Sequence, residues 1–249
     1  ATAAASWNSL LPTISPWLHE EVARRMEERR QWMTMRPESW LHWEPLRGGL
    51  QAQALLERRY PDSECFVLEA QVERAQAASK LIAKPWWNVK HWTGPKVHFE
   101  APQQPVQMLW ANMALHMAPD PQALIAQWHS LLATDGFLMF SCLGPDTLGQ
   151  LRRVYAQQGW PLPSHDFTDM HDWGDMLVGA GFAEPIMDME RITLSYSSPE
   201  ALLKELRQLG RNLNIHRFPG LRGRGWKDRW MEAVRAGLAP AGGDGRLSL

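Results

Sequence analysis

Residues 39–70 read SWLHWEPLRGGLQAQALLERRYPDSECFVLEA, and the order of features in this stretch decides the fold. SWLHW (39–43) is a short aromatic and apolar run that suits a buried strand, and PLRGG (45–49) turns the chain. LQAQALLERRY (50–60) then spaces its apolar residues as a helix does, until Pro61 and Asp62 end it. CFVLE (65–69) is a second strand that closes on an acidic residue, Glu69. Strand, turn, helix and strand in this order set two parallel strands side by side, because a parallel connection needs a crossover helix.

The alternation continues downstream. QVERAQAASKLIA (71–83) reads as a helix, and VQMLWANMAL (106–115) is apolar enough for a buried strand. PQALIAQWHSLLA (121–133) is a helix, Asp135-Gly136 a turn, and FLMFSCL (137–143) another buried strand. Between them, PWWNVKHWTGPKVHFEAPQQP (85–105) is rich in proline and aromatics and holds at most one strand, around KVHFE. From Trp40 to Cys142 the pattern is α/β: a parallel sheet with helices on both faces.

Upstream, Ser15-Pro16 predicts the capped start of an amphipathic helix carrying Leu18, Val22 and Met26 on its apolar face. Its other face pairs Glu20 with Arg24 and Glu21 with Arg25, a solvated pattern. Beyond Gly144 come a helix over 145–158, a loop WPLPSHDF (160–167), and a helix through MHDWGDMLVGAGF (170–182) with Gly181 as its C-cap. A β-like run PIMDMERITLSY (185–196) follows, then a helix SPEALLKELRQLG (198–210) and a basic loop and helix to Ala239. PAGGDG (240–245) has the composition of a disordered segment. The expected organisation is an N-terminal helical segment, 1–39, and one domain, 40–249, with a helical insertion at about 198–240.

Composition narrows the function classes. The 249 residues carry a formal net charge of -1, so no global field draws the molecule to nucleic acid or to a membrane surface. No apolar run reaches the length of a membrane span, and the first residues lack a basic segment leading into an apolar one. Cys65 and Cys142 belong to no CxxC or Cys/His pair, which fits a reducing, cytoplasmic location. Fourteen tryptophans are the compositional oddity. Core filling accounts for them, whereas base stacking would need more cations than the Lys84, Lys90 and His91 that flank Trp86 to Trp92.

Three stretches carry a resemblance to a known family. FLMFSCLGPDTLGQLR (137–152) with HDFTDMHDWGDMLVGAGFAEPIMDMERITLSY (165–196) resembles the BioC family of biotin biosynthesis, malonyl-carrier-protein O-methyltransferases of class I fold. LLERRYPDSECFVLEA (55–70) and MLWANMALHMAPDPQALIAQWHSLLATDGFLMFS (108–141) look like that family's second-strand region and its fourth-strand to fifth-strand region. The resemblance implies a Rossmann-like sheet of seven strands and S-adenosylmethionine as cofactor. It implies an acidic residue ending the second strand that holds the cofactor ribose, a position that falls on Glu69. A carboxylate ending a strand is also common without any ligand.

Where the family reads D-x-G-x-G-x-G, this chain reads His42-Trp43-Glu44-Pro45-Leu46-Arg47-Gly48, followed by Gly49. Leu46 adds a side chain, Pro45 removes an N–H donor, and Glu44 sets an anion where a cofactor carboxylate would lie. The chain ends at GDGRLSL where the family has a long last strand, so that strand is expected short or missing, with Arg246 to Leu249 as its beginning. Two functions stay open: a methyltransferase acting on a carboxylate or acyl-carrier substrate, or a retained fold that binds S-adenosylmethionine weakly or not at all.

The cofactor-lining candidates are Glu69, Gly48, Gly49, Glu44 and Asn112, with Asn112 equally readable as a turn cap and His116 as plain loop. No catalytic residue is assigned, since methylation of a carboxylate needs positioning more than a base. His165, Asp166, Asp169, His171, Asp172 and Asp175 match no metal-site spacing, and capping by Thr168 or Asp169 explains most of them. The basic run Arg207, Arg211, Arg217, Arg222, Arg224, Lys227 and Arg229 reads as a solvated face or, through the resemblance, as a seat for an acidic acyl-carrier protein. No motif in it supports RNA.

Overall fold

In the computed structural model, residues 15–83, 96–238 and 246–249 are described. The chain divides into two compact units, Ala1–Cys142 with Gly174–Pro185, and Leu143–Trp173 with Ile186–Leu249. Most of the Trp- and Pro-rich segment (84–95) and the Gly/Ala-rich PAGGDG lie outside the described residues.

The first unit is a parallel five-stranded sheet in the order β3-β2-β1-β4-β5. Its strands are β1 (Ser39–Trp43), β2 (Glu64–Leu68), β3 (Val97–His98), β4 (Val106–Ala111) and β5 (Leu132–Phe140). β1 is the central strand, pairing Trp43 with Leu68 on one side and His42 with Trp110 on the other. Its residues are buried on both faces because side chains alternate. Trp40 and His42 face the helices α1 (Trp17–Arg29) and α3 (Leu50–Arg59), while Trp43 meets Trp128 of α5 (Pro121–Ser130) edge-on at 5.9 Å. A single turn, α2 (Pro45–Gly48), and α4 (Val72–Ile82) complete the expected crossovers. Among the described residues of this unit, Trp40, Trp110 and Trp128 are fully buried core, whereas Trp17 at the start of α1 is exposed.

Several sequence expectations are corrected. Ser15 does not cap α1, whose first turn has no side-chain cap. Asp135-Gly136 is not a turn before β5 but an irregularity within it, with Asp135 at φ 61° and the β4 pairing jumping from Leu132 to Phe137. Gly136 is required there, because a Cβ would lie 2.9 Å from the Ala133 carbonyl oxygen.

The second unit holds α6 (Gly149–Gln157), α8 (Pro199–Leu209), α9 (Arg224–Leu238) and a two-residue antiparallel pair, β6 (Ser195–Tyr196) with β7 (Leu247–Ser248). Its core is Leu151, Val154, Tyr196, Leu202, Trp230, Met231, Val234, Leu238 and Leu247. α6 starts later than expected, because Gly144–Thr147 forms a turn and Leu148 sits left-handed at φ 60°. Most of PIMDMERITLSY is not strand either: the alternation is present, but only Leu194–Tyr196 find backbone partners, in Leu247–Leu249, and Ile186 is 95% exposed. β7 lies in this separate pair and not in the parallel sheet, which among the described residues has five strands where the resemblance implies seven. The remaining helix, α7 (Met170–Gly179), closes at Gly181 (φ 101°) with Phe182 N–H donating to the Leu177 carbonyl, a Schellman end.

Candidate functional site

Parallel strands end together, and the residues immediately after β1, β2 and β4 are Glu44, Glu69 and Asn112. The alignment of neighbouring strands therefore brings three of the five cofactor candidates to one edge, and the turn at 44–49 adds Gly48 and Gly49. This is the edge at which open α/β sheets bind ligands.

The turn is tightly specified. Glu44 is left-handed (φ 50°) and its carbonyl accepts from the N–H groups of Arg47 and Gly48, at 3.2 and 2.9 Å. Gly48 has to be glycine, since a Cβ would lie 2.9 Å from the Asn112 carbonyl oxygen. Gly49 takes φ 122°, and a Cβ there would press on Glu20 and Ala23 of α1. Leu46 sends its side chain into the core with Trp40, Ala52 and Trp110.

Glu69 is buried and engaged at both oxygens. Oε1 accepts from the Leu46 N–H at 2.9 Å, and Oε2 lies 2.6 Å from Nη2 of the fully buried Arg74. The same Nη2 is 3.4 Å from Glu44. Burial pushes the Glu69 carboxyl up to about 7, with Arg74 and the Leu46 amide pulling the other way. Arg47, half-desolvated and close to Arg74, is lowered to about 10.

Asn112 spends both amide hydrogens on carbonyls, those of His19 (2.8 Å) and Gly48, and accepts from Ser141 Oγ at 2.6 Å. It thus ties α1, the turn and the end of β5 together. His42 donates from Nδ1 to Gln53 Oε1 at 2.8 Å, and Gln53 Nε2 donates in turn to Glu57 and to Cys65 Sγ. Desolvation lowers His42 to about 4, so it is neutral. His116 is buried in a 3-10 turn, Leu115–Met117.

Sequence reasoning missed the contribution of α1. Ser15 Oγ accepts from Leu50 N–H and Glu20 Oε2 from Gln51 N–H, both at 3.0 Å, so α1 caps α3. His19 donates from Nδ1 to the Arg47 carbonyl at 2.6 Å, and burial lowers it to about 4. One signal was available: His19 falls on the same helical stripe as the buried Ala23 and Met26, and a polar residue there needs a partner. Arg74, five residues after Glu69, was missed as well.

The other candidates lie elsewhere. Arg207 is exposed in the last turn of α8, and Arg211, Arg217 and Arg222 lie in the connection from α8 to α9. Asp169 accepts from the His171 N–H at 2.7 Å, capping α7 as expected. Among the described residues no three His, Cys, Asp or Glu side chains converge as metal ligands would.

A parallel sheet with its candidate site at the carboxyl edge and an acid after β2 is an arrangement that class I methyltransferases share. A methyltransferase candidate from Bacillus halodurans shares it at a TM-score of 0.56 and 12% identity, covering 92% of this chain and 94% of that one. The YcgJ protein of Bacillus subtilis shares it at 0.55 and 13%, covering 92% and 93%. The malonyl-[acyl-carrier protein] O-methyltransferase of Gallionella capsiferriformans is 35% identical over 236 residues, spanning 86% of this chain and 76% of that protein. The one from Methylovorus is 30% identical over 236 residues, spanning 92% and 78%. The chain belongs to the malonyl-[acyl-carrier protein] O-methyltransferase family. No family model matches it. Among the described residues no helix is long and apolar enough to cross a membrane.

Proposed function

We propose that this chain is a member of its family in which S-adenosylmethionine binding is weakened or lost, the fold being kept as a partner-binding scaffold. The observation that carries this reading is the engagement of Glu69. A ribose diol would have to compete with the Leu46 amide and the Arg74 guanidinium for a buried carboxylate. Three further features support it: Glu44 and Arg74 form an ion pair beside the turn, Pro45 offers no N–H, and α1 saturates the first amides of α3.

A second reading is favoured by the breadth of the similarity, which spans most of the chain. On it the protein is an active S-adenosylmethionine-dependent enzyme that esterifies a malonyl group on an acyl-carrier protein in biotin formation in the cytoplasm. Glu69, Gly48, Gly49, Glu44 and Asn112 then line the cofactor. On either reading the basic stretch holding Arg207, Arg211, Arg217 and Arg222 is the seat of an acidic carrier protein, by charge complementarity.

Isothermal titration with S-adenosylmethionine and S-adenosylhomocysteine, with Glu69→Ala as control, separates the two. No heat at millimolar ligand is expected. Micromolar binding that Glu69→Ala abolishes would establish the active enzyme instead.

A further inference from the structure

The connection between α8 and α9, GRNLNIHRFPGLRG (210–223), is anchored at its start and open at its end. Asn212 Nδ2 donates to the Leu162 carbonyl at 2.7 Å, and Leu213 N–H to His165 Nδ1 at 3.4 Å. Asn212 and Asn214 also accept from backbone N–H groups two residues on, which fixes the local turns. Past this anchor three apolar side chains face solvent: Ile215 is 84% exposed, Phe218 44% and Leu221 100%. Along the chain Arg211, Arg217, Arg222, Arg224, Lys227 and Arg229 flank them, with Asp228 as the only acid between Arg211 and Arg229. Exposed apolar groups flanked in sequence by one sign of charge suit a protein-binding surface better than a merely solvated loop.

Arg222 stands out within it. Its guanidinium lies over the Phe218 ring at 4.1 Å and over the Trp226 ring at 4.2 Å. That stack is rooted in the second core: Trp226 packs 5.5 Å from Trp160, Trp160 lies 5.3 Å from Tyr155, and Tyr155 Oη accepts from Trp230 Nε1 at 2.9 Å. Among the described residues Arg222 makes no hydrogen bond or ion pair. A guanidinium held on aromatic faces with its in-plane donors unspent has already lost much of its rotamer freedom, and it presents a fork that matches two oxygens of one phosphate.

We propose that residues 211–229 dock an acyl-carrier protein, with Ile215 and Leu221 in apolar contact, the flanking cations against its acidic surface, and Arg222 receiving the phosphodiester of its phosphopantetheine arm. The assignment rests on the carrier-protein partner of the preceding reading and names the part of the carrier that each group meets. It holds with or without cofactor.

The test is calorimetric titration of the full chain with acyl-carrier protein, in the apo form and in the holo form carrying phosphopantetheine, at about 50 mM salt, where charge attraction is weakly screened. Holo protein is expected to bind more tightly than apo. Arg222→Lys keeps the charge but loses the fork, and is expected to weaken holo binding about tenfold, to the apo level, while leaving apo binding unchanged. Leu221→Ser is expected to weaken both forms alike. Both positions reach solvent, so the melting temperatures of the variants check that folding is intact. Equal affinity for apo and holo, or wild-type holo binding by Arg222→Lys, would overturn the role of Arg222. No binding of either form by the wild type would overturn the surface itself. Neither titration contains S-adenosylmethionine, so its outcome is read separately from that of the cofactor experiment.

Discussion

Single residues decide what the edge of the sheet can hold. Arg74 is buried against Glu69, with Glu44 beside it, so removing it strands a carboxylate in a dry site. Arg74→Met is expected to cost about 3 kcal/mol at pH 8 in urea denaturation. The cost should shrink at pH 6, because Glu69, already raised to about 7 by burial, then takes a proton and sheds the unpaired charge. A cost independent of pH would mean that packing, and not charge, is what Arg74 supplies. Glu69 was visible in the sequence as the acid closing a strand. Its partner was not, because an arginine in the first turn of a helix reads as solvated until the fold turns it inward.

At the scale of elements, the strand over 39–43 and the crossovers that follow were legible because buried parallel strands read as unbroken apolar runs and the helices between them keep a helical period. The run 185–196 shows the opposite case. Alternation specifies which face of a strand is apolar, yet a strand exists only where a neighbour offers its backbone, and for most of that run none does among the described residues. Caps that reach across elements leave no signal either. Ser15 and Glu20 look like the start of their own helix but satisfy the first N–H groups of α3. Ser15→Ala with Glu20→Ala is expected to lose about 1–2 kcal/mol and to speed amide hydrogen exchange at Leu50 and Gln51. Arg24→Ala, on the exposed face of α1, should leave the urea midpoint nearly unchanged. Exchange rates unchanged in the double variant would place the caps elsewhere.

For the whole molecule, the buried titratable groups of the first unit set the response to acid. His19 and His42 are lowered from 6.5 to about 4, so the unfolded chain binds up to two more protons than the folded one between those values. Their contribution is complete above pH 6.5 and is lost as pH falls towards 4. Glu69 acts in reverse: its folded value of about 7 exceeds the ordinary 4.5, so it favours the folded state as pH falls through that range. Two histidines against one carboxyl leave one net proton, and stability is expected to drop by about 1.4 kcal/mol per pH unit between pH 6.5 and 4.5. His19→Gln keeps a donor for the Arg47 carbonyl and removes one titration, so its urea midpoints should become nearly flat over the same range. An unchanged slope would assign the acid response to other groups.

The turn at 42–48 also acts as a keystone, since what lies around it leans on its residues. Three of its residues each engage a partner beyond the turn: His42 meets Gln53, Glu44 lies beside Arg74, and Leu46 packs with Trp40 and Trp110. Replacing His42 or Leu46 alone by a smaller residue would leave a buried amide or a cavity without its counterpart, whereas Arg74 would keep Glu69 if Glu44 were lost. The turn therefore behaves as a set of interlocked parts, in which these residues exchange in concert more readily than one at a time.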